Sequence, residues 1–308
     1  MDSRIDVHQH VWTEPLVAAL ARRDRPPRVR SRAGRWILEL RGEPAAEIAL
    51  DDPGARADLL GADGLDRALV ALSSPLGIEA LPRDEATALL DAFHDGAFAL
   101  PAAFGVWGAV ALDDPDPADV DALLDRGAVG VSLPAGALAT PAGLDRVEAL
   151  LERLERRDAP LLVHPGPAPW SPRAAAGDVP GWWPALTTYV GEQAAAWLTF
   201  VTHGRPRHPG LRVVFAALAG LAPLHAERLE ARSGHGAGGF DRRTFYDTSS
   251  YGRRAIAALA VAVGPAQVVY GSDRPVVEPR PVGELGPSPE ALLLDGPARL
   301  LGRQAVLA

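Results

Sequence analysis

The sequence contains no cysteine, and all 31 of its basic residues are arginine, so lysine is absent as well. The first absence excludes disulfides, zinc–thiolate sites and a cysteine nucleophile. The second excludes a lysine Schiff base, the lysine of a phosphate-binding loop and a carboxylated lysine bridging two metals. No run reaches the roughly 18 apolar residues needed to span a bilayer. Met1-Asp2-Ser3-Arg4 leads straight into Ile5-Asp6-Val7-His8, without the charged and apolar regions of a signal peptide. A formal charge of −8 and a pI near 5.5 leave no general basic face for nucleic acid. These absences predict a cytoplasmic protein with neither nucleic acid nor membrane as partner. Its chemistry must come from His, Asp, Glu, Ser, Thr, Tyr, Arg or a bound cofactor. What is present is ordinary globular material, 308 residues of which 47% are hydrophobic and 23% charged, enough for a substantial core.

Short apolar runs alternate with amphipathic stretches almost from end to end. The runs at 4–7, 67–72, 102–106, 128–133, 160–163, 211–216, 245–247 and 267–270 read as eight strands. The clearest helix is predicted at 142–157, where Thr140 can cap, Pro141 opens the first turn, and Leu144, Val147, Leu150, Leu151 and Leu154 form one stripe. Eight strands separated by helices predict an α/β fold, a single (β/α)8 TIM-like barrel over 1–308. Two connections exceed what a barrel needs. Residues 11–55 include an arginine-rich stretch and an expected inserted hairpin (35–40 with 46–50) after strand one, and 165–183 is rich in Pro, Gly and Trp. Both follow strands and are therefore expected on the C-terminal face of the barrel, where such loops build active sites.

Four residues at predicted strand ends carry the metal-binding potential. His8 and His10 are two apart, which on a strand puts both rings on one face, half of a first-row metal site or else a surface turn. His164 ends strand five in Leu-Leu-Val-His-Pro-Gly, where a structural histidine is the plainer alternative. Asp273 ends strand eight in Gly-Ser-Asp-Arg-Pro, where it could equally cap a turn. Taken together, all four fall at the C-terminal ends of strands one, five and eight of one barrel.

These motifs, with weaker agreement at Arg56–Pro75, Arg207–Leu211, Tyr246–Ser249 and Leu294–Leu301, resemble the amidohydrolase superfamily. The branch they are most similar to is the amidohydrolase-2 group, with aminocarboxymuconate semialdehyde decarboxylase and related decarboxylases and lactonases. The resemblance implies one divalent metal ion, usually Zn2+, held by His8, His10, His164 and Asp273. It also implies a metal-activated water, with Asp273 able to accept its proton. A homodimer is the expectation at family level. One departure stands out. Where the family carries a histidine at the end of strand six, in a run like Phe-Ala-His-Leu-Gly-Gly, this chain has Phe215-Ala216-Ala217-Leu218-Ala219-Gly220.

His225, at the start of the following helix, is the candidate to compensate, against a plain surface histidine. His203, near the end of the preceding helix, is the other histidine weighed for that role and is expected on the far side; His208 is read as structural, and His94 and His235 as structural or solvent-exposed. Seven arginines lie between Arg22 and Arg35, read first as a solvated loop and otherwise as guanidinium groups, Arg30 among them, facing an anionic substrate. Trp170, Trp182 and Trp183 could wall a cyclic substrate or pack a lid, and Ser74 offers polar lining. The first functional reading is therefore a metal-dependent hydrolase of an amide, lactone or ester of a small anionic or cyclic molecule. The alternatives are a non-oxidative decarboxylase of an aromatic or muconate-type acid, and a metal-retaining barrel with reduced catalysis that serves a binding role.

Overall fold

The computed structural model describes residues 3–171, 179–234, 241–286 and 288–302. Eight strands form one parallel sheet in sequence order: β1 (Ile5–Gln9), β5 (Arg67–Val70), β6 (Phe104–Ala109), β7 (Gly130–Pro134), β8 (Leu161–His164), β9 (Val213–Phe215), β10 (Thr244–Asp247) and β11 (Val268–Val269). The last segment returns to the first. Val7 N–H donates to the Tyr270 carbonyl at 2.9 Å, Asp273 N–H to His8 at 3.0 Å, and His10 N–H to Arg274 at 2.7 Å. The sheet is thereby closed into the expected (β/α)8 barrel.

One buried cluster collects Val7, Leu69, Trp107, Leu162, Val214, Phe245 and Val269, the side chains that fill the barrel. β7 contributes Gly130 beside the large Trp107 ring; a Cβ there would lie 2.7 Å from that ring and 2.2 Å from the Pro160 carbonyl oxygen. A second cluster joins the outer faces of the strands to the helices around them. The helix Pro141–Arg156 shows why. Thr140 Oγ1 accepts from Gly143 N–H at 3.1 Å, satisfying one of the free first-turn donors. The stripe Leu144, Val147, Leu150, Leu151 and Leu154 is fully buried, at about 1.5–3 kcal/mol for each large apolar side chain removed from water. Among the described residues, no helix is long and apolar enough to cross a membrane.

The insertion after the first strand is larger than a hairpin. It is an antiparallel sheet of β2 (Arg28–Arg32), β3 (Arg35–Glu39) and β4 (Ala46–Ile48). Ala33 and Gly34, at φ +50° and +78°, make the tight turn between β2 and β3, the geometry that suits a two-residue hairpin loop. Sequence reading places the arginine-rich stretch in a solvated loop; five residues of it are instead a strand. Val29 supplies the burial that fixes it, opposite a buried Leu38. The arginines around it are paired: Arg28 and Arg32 with Glu39 at 2.6 and 2.7 Å, Arg35 with Glu47 at 3.0 Å, and Arg23 and Arg25 with Glu85.

Candidate metal centre

β1 delivers its two histidines through an irregularity. Its register against β5 runs Asp6 to Ala68 and then Gln9 to Val70, so β1 uses one residue more than its partner. A bulge of this kind re-aims side chains. Val7 joins the barrel filling, and His8 and His10, with the opposite alternation, still reach the mouth. The extra residue is held by polar contacts. Asp6 accepts from His8 N–H and Ser272 N–H, each at 3.1 Å, and from Gln9 Nε2 at 2.8 Å. The Val7 carbonyl accepts from the Trp107 indole at 2.9 Å. Buried Arg56 donates to Gln9 Oε1, to the His10 carbonyl at 3.2 Å and to Asp51 at 3.1 Å.

His8, His10, His164 and Asp273 converge, each offering one ligand atom within 4.8 Å of all the others. The three rings stand mutually perpendicular, with every pair of centroids 4.9 Å apart. A neighbour fixes the Nδ1 side of each ring. His8 Nδ1 donates to Asp247 Oδ2 at 2.7 Å, His10 Nδ1 to the Ala71 carbonyl at 2.9 Å, and His164 Nδ1 to the Pro165 carbonyl at 2.8 Å. With each proton on Nδ1, the three Nε2 atoms present lone pairs to one point. His8 Nε2 and His10 Nε2 are 3.2 Å apart, and Asp273 Oδ1 lies 3.2 Å from His10 Nε2 and 3.9 Å from His8 Nε2. Bare lone pairs and a carboxylate at that separation repel unless a cation stands among them. The donor set therefore fits a divalent ion with nitrogen and oxygen ligands.

The electrostatics agree. Burial disfavours a charged His8, but Asp247 above all, then Asp273 and Asp6, outweigh it and hold the ring up at about 9. His164 goes the other way, pushed well down by burial and by His8 and His10. The carboxylates around His8 thus favour positive charge at this point, which a bound cation would supply in place of a second ring proton. Asp273 turns back into the mouth from a left-handed backbone, φ +63°, a conformation aspartate tolerates better than most residues.

Asp247, at the end of β10, is the site residue that sequence reading leaves without a role. Its Oδ2 orients His8, while Oδ1 accepts from Ser249 N–H at 3.0 Å, from the Ser249 hydroxyl and from Ala217 N–H at 2.8 Å. Its only sequence signal is an aspartate closing a strand in Tyr-Asp-Thr-Ser.

On the strand-six side, Ala217 opens a run of five left-handed residues, with φ of +50°, +51°, +54°, +60° and +64° from Ala217 to Leu221. This turn seats against the helix Thr188–Thr199. A Cβ on Gly220 would lie 2.5 Å from the Val190 carbonyl oxygen. That helix brings two further polar residues that sequence reading does not single out. Tyr189 Oη donates to Glu43 Oε1 of the insertion at 2.8 Å, and Glu192 Oε2 accepts from Gly166 N–H at 3.0 Å. Burial, and then Glu43, push the Glu192 carboxyl up to about 7; burial likewise raises Glu43.

The remaining candidates are placed as follows. His225 is exposed, at the end of the turn Ala217–His225. Ser74 is fully buried, its hydroxyl donating to Glu79 Oε1 at 2.5 Å. Glu79, itself fully buried, is pushed up to about 7 by burial. Trp170 packs on the helix Pro141–Arg156, with the Arg146 guanidinium 5.1 Å over its ring. Trp182 and Trp183 are exposed and 5.6 Å apart. Arg30 is half-buried on β2, and among the described residues it makes no ion pair. His94 is structural, its Nε2 accepting from Ala109 N–H at 3.1 Å, and burial pushes it down to about 4. His208 is buried between Glu148 and Glu155. His235 lies outside the described residues, as does part of the loop that carries the tryptophans.

No protein-family model matches the sequence, and a comparison with curated proteins returns no match. Solved structures do match, along nearly the whole chain. IDCase of Metarhizium anisopliae superposes with a TM-score of 0.74 at 18% identity, over 99% of this chain and 96% of that one. The 5-carboxyvanillate decarboxylase of Novosphingobium aromaticivorans, solved with manganese and 3-methoxy-4-hydroxy-5-nitrobenzoic acid, gives 0.74 at 18%, over 97% of each. The 2,6-dihydroxybenzoate decarboxylase of Rhizobium gives 0.71 at 15%, over 98% and 99%. This chain therefore shares the barrel fold of these proteins along nearly its whole length.

Proposed function

We propose that the protein is a divalent-metal-dependent, non-oxidative decarboxylase of a small aromatic or muconate-type acid. The observation that carries metal dependence is the convergence of three Nδ1-protonated histidines and Asp273 at the barrel mouth. The choice of decarboxylation is supported by full-length likeness to decarboxylase structures, one holding manganese and a benzoic acid. This reverses the order of the sequence reading, which puts hydrolysis first. Hydrolysis stays as the second reading because Asp273 reaches the ligand point with a carboxylate that can take a proton.

A divalent ion there would supply a positive charge that binds and orients the substrate's carboxylate. His8, His10, His164 and Asp273 would hold that ion. Asp247 keeps His8 in one tautomer and orientation. The Asp6–Gln9–Arg56 contacts keep the bulge that aims both β1 histidines. Imidazole and carboxylate ligands suit zinc and manganese alike.

The test offers manganese- and zinc-loaded protein 2,6-dihydroxybenzoate, 5-carboxyvanillate, further hydroxybenzoates and a panel of lactones. The expected result is carbon dioxide release that disappears on chelation and in Asp273→Asn. Lactone or amide turnover with no carbon dioxide from any acid would reverse the assignment.

A further inference from the structure

The chain has four tyrosines, and two of them have a partner for the hydroxyl. Tyr189 donates to Glu43 Oε1 at 2.8 Å, and Tyr246 accepts from the Trp197 indole at 2.9 Å. Tyr251 and Tyr270 have no such partner among the described residues, and both line one pocket of about 180 Å³ beside the C-terminal ends of β10 and β11. Tyr251 is half-buried and Tyr270 only 3% exposed, so a phenol is enclosed there without an acceptor, an arrangement that costs stability unless something fills it. Arg280 lines the same pocket and makes no ion pair or hydrogen bond among the described residues. It stands at the start of the helix Arg253–Val263, its Nε and Cζ 3.8 and 3.9 Å from where a Cβ on Gly252 would lie. That helix end has no capping side chain and no acid in its first turn, and Arg253 and Arg254 are exposed there. Positive charge from the helix end adds to that of the guanidinium groups. The one carboxylate on the pocket wall, Glu278, is 86% exposed and lies 3.5 Å from Arg274. Val277, Pro279 and the buried Leu285 make the wall apolar elsewhere. None of the four metal-ligand residues lines this pocket. Along β11, Val269 fills the barrel and Tyr270 joins the outer cluster, so the pocket lies on the outer face of the strand and the metal centre on the inner one.

We propose that this pocket is a second binding site, separate from the metal centre, for a small monocyclic carboxylate of the benzoate type. The Arg280 guanidinium supplies the countercharge, the phenol hydroxyls of Tyr251 and Tyr270 donate to the ligand's oxygens, and Val277, Pro279 and Leu285 cover its ring. Size sets the class: a cavity of about 150 Å³ holds benzene, so about 180 Å³ admits one ring with its carboxylate and excludes a nucleotide. Inorganic phosphate would satisfy the guanidinium and the hydroxyls but would leave the apolar wall in water, so a ring acid binds more tightly. The site needs no metal ion, and the proposal does not depend on which reaction the metal centre performs.

The test titrates 4-fluorobenzoate, followed by fluorine NMR, into the metal-free full chain as wild type, His164→Ala, Arg280→Gln and Tyr270→Phe. Saturable binding is expected, with equal affinity in wild type and His164→Ala. Affinity should fall about tenfold in Arg280→Gln and about threefold in Tyr270→Phe. Neither of these two variants should lower the urea midpoint, because neither group has a partner within the protein. Inorganic phosphate should displace the probe only at concentrations about tenfold or more above those of unlabelled benzoate. Absence of saturable binding overturns the proposal. So does binding that is lost in His164→Ala but kept in Arg280→Gln and Tyr270→Phe, since the probe would then sit at the metal centre. Phosphate that competes as well as benzoate would overturn the assignment of a ring acid.

Discussion

At the barrel mouth, three histidines and an aspartate present their ligand atoms to one point, and each histidine has its other nitrogen fixed by a neighbour. Next to His164, after β9, the chain offers methyl groups and a left-handed turn whose polar contribution is one N–H given to Asp247 and Ser249. The first region is organised by side-chain chemistry, the second by backbone conformation. The two are joined, because Asp247 orients His8 with one oxygen and anchors the start of the turn with the other. Ala217, which carries no acid–base group, does not leave the strand-six loop unconstrained. It still braces the metal centre through Asp247 and seats the helix carrying Tyr189 and Glu192 through Gly220.

The largest effects should fall on the ligand side and grade outward from it. His164→Ala removes one of four donors and should abolish stoichiometric manganese binding in titration calorimetry. Asp247→Asn leaves all four donors but removes the anion that fixes His8, and should weaken manganese binding about 10–100-fold. Equal affinity of Asp247→Asn and wild type would mean that the bulge alone orients His8, and the link between the two regions would be broken.

How legible each region is in the sequence follows the same division. All eight barrel strands are visible as apolar runs, because strands covered on both faces need continuous apolar sequence. The ligands are visible because strand ends map onto one face of a barrel. β2 escapes notice because Arg28, Arg30 and Arg32 alternate on a strand whose other face buries only Val29. The bulge in β1 is invisible, since the two-residue spacing of His8 and His10 puts them on one face with or without it. Asp247 looks like any turn aspartate until His8 is placed beside it. Glu43 and Tyr189 are 146 residues apart, and only the packing of the insertion against the helix brings them together. The left-handed turn could not be anticipated, because Ala-Leu-Ala carries no preference for positive φ.

The turn's role as a brace can be tested by adding a methyl group to it. Gly220→Ala sets a Cβ 2.5 Å from the Val190 carbonyl oxygen at φ +60°, whereas Gly234→Ala sets one in open space at φ +70°. Left-handed strain alone costs about 1–2 kcal/mol, which is the expected loss for Gly234→Ala. Gly220→Ala adds overpacking against backbone, about 1–3 kcal/mol more. It should also increase hydrogen exchange along Thr188–Thr199. Equal losses for the two variants, read from urea midpoints, would mean that the turn and the helix are mechanically independent.

Removing a methyl group from the same turn should do almost nothing, and the reason is a cancellation. Ala219 is fully buried at φ +54°. Replacing it with glycine relieves about 1–2 kcal/mol of left-handed strain. Against that stand about 0.5–1 kcal/mol for the greater freedom of glycine in the unfolded chain and about 0.8 kcal/mol for the lost buried methyl. The sum leaves Ala219→Gly within about 0.5 kcal/mol of wild type in urea unfolding, an effect well below that of adding a methyl group one residue later. A loss of about 2 kcal/mol or more would show that the Ala219 methyl is a packing element in its own right. The strand-six side would then be held by side chains after all, as the ligand side is.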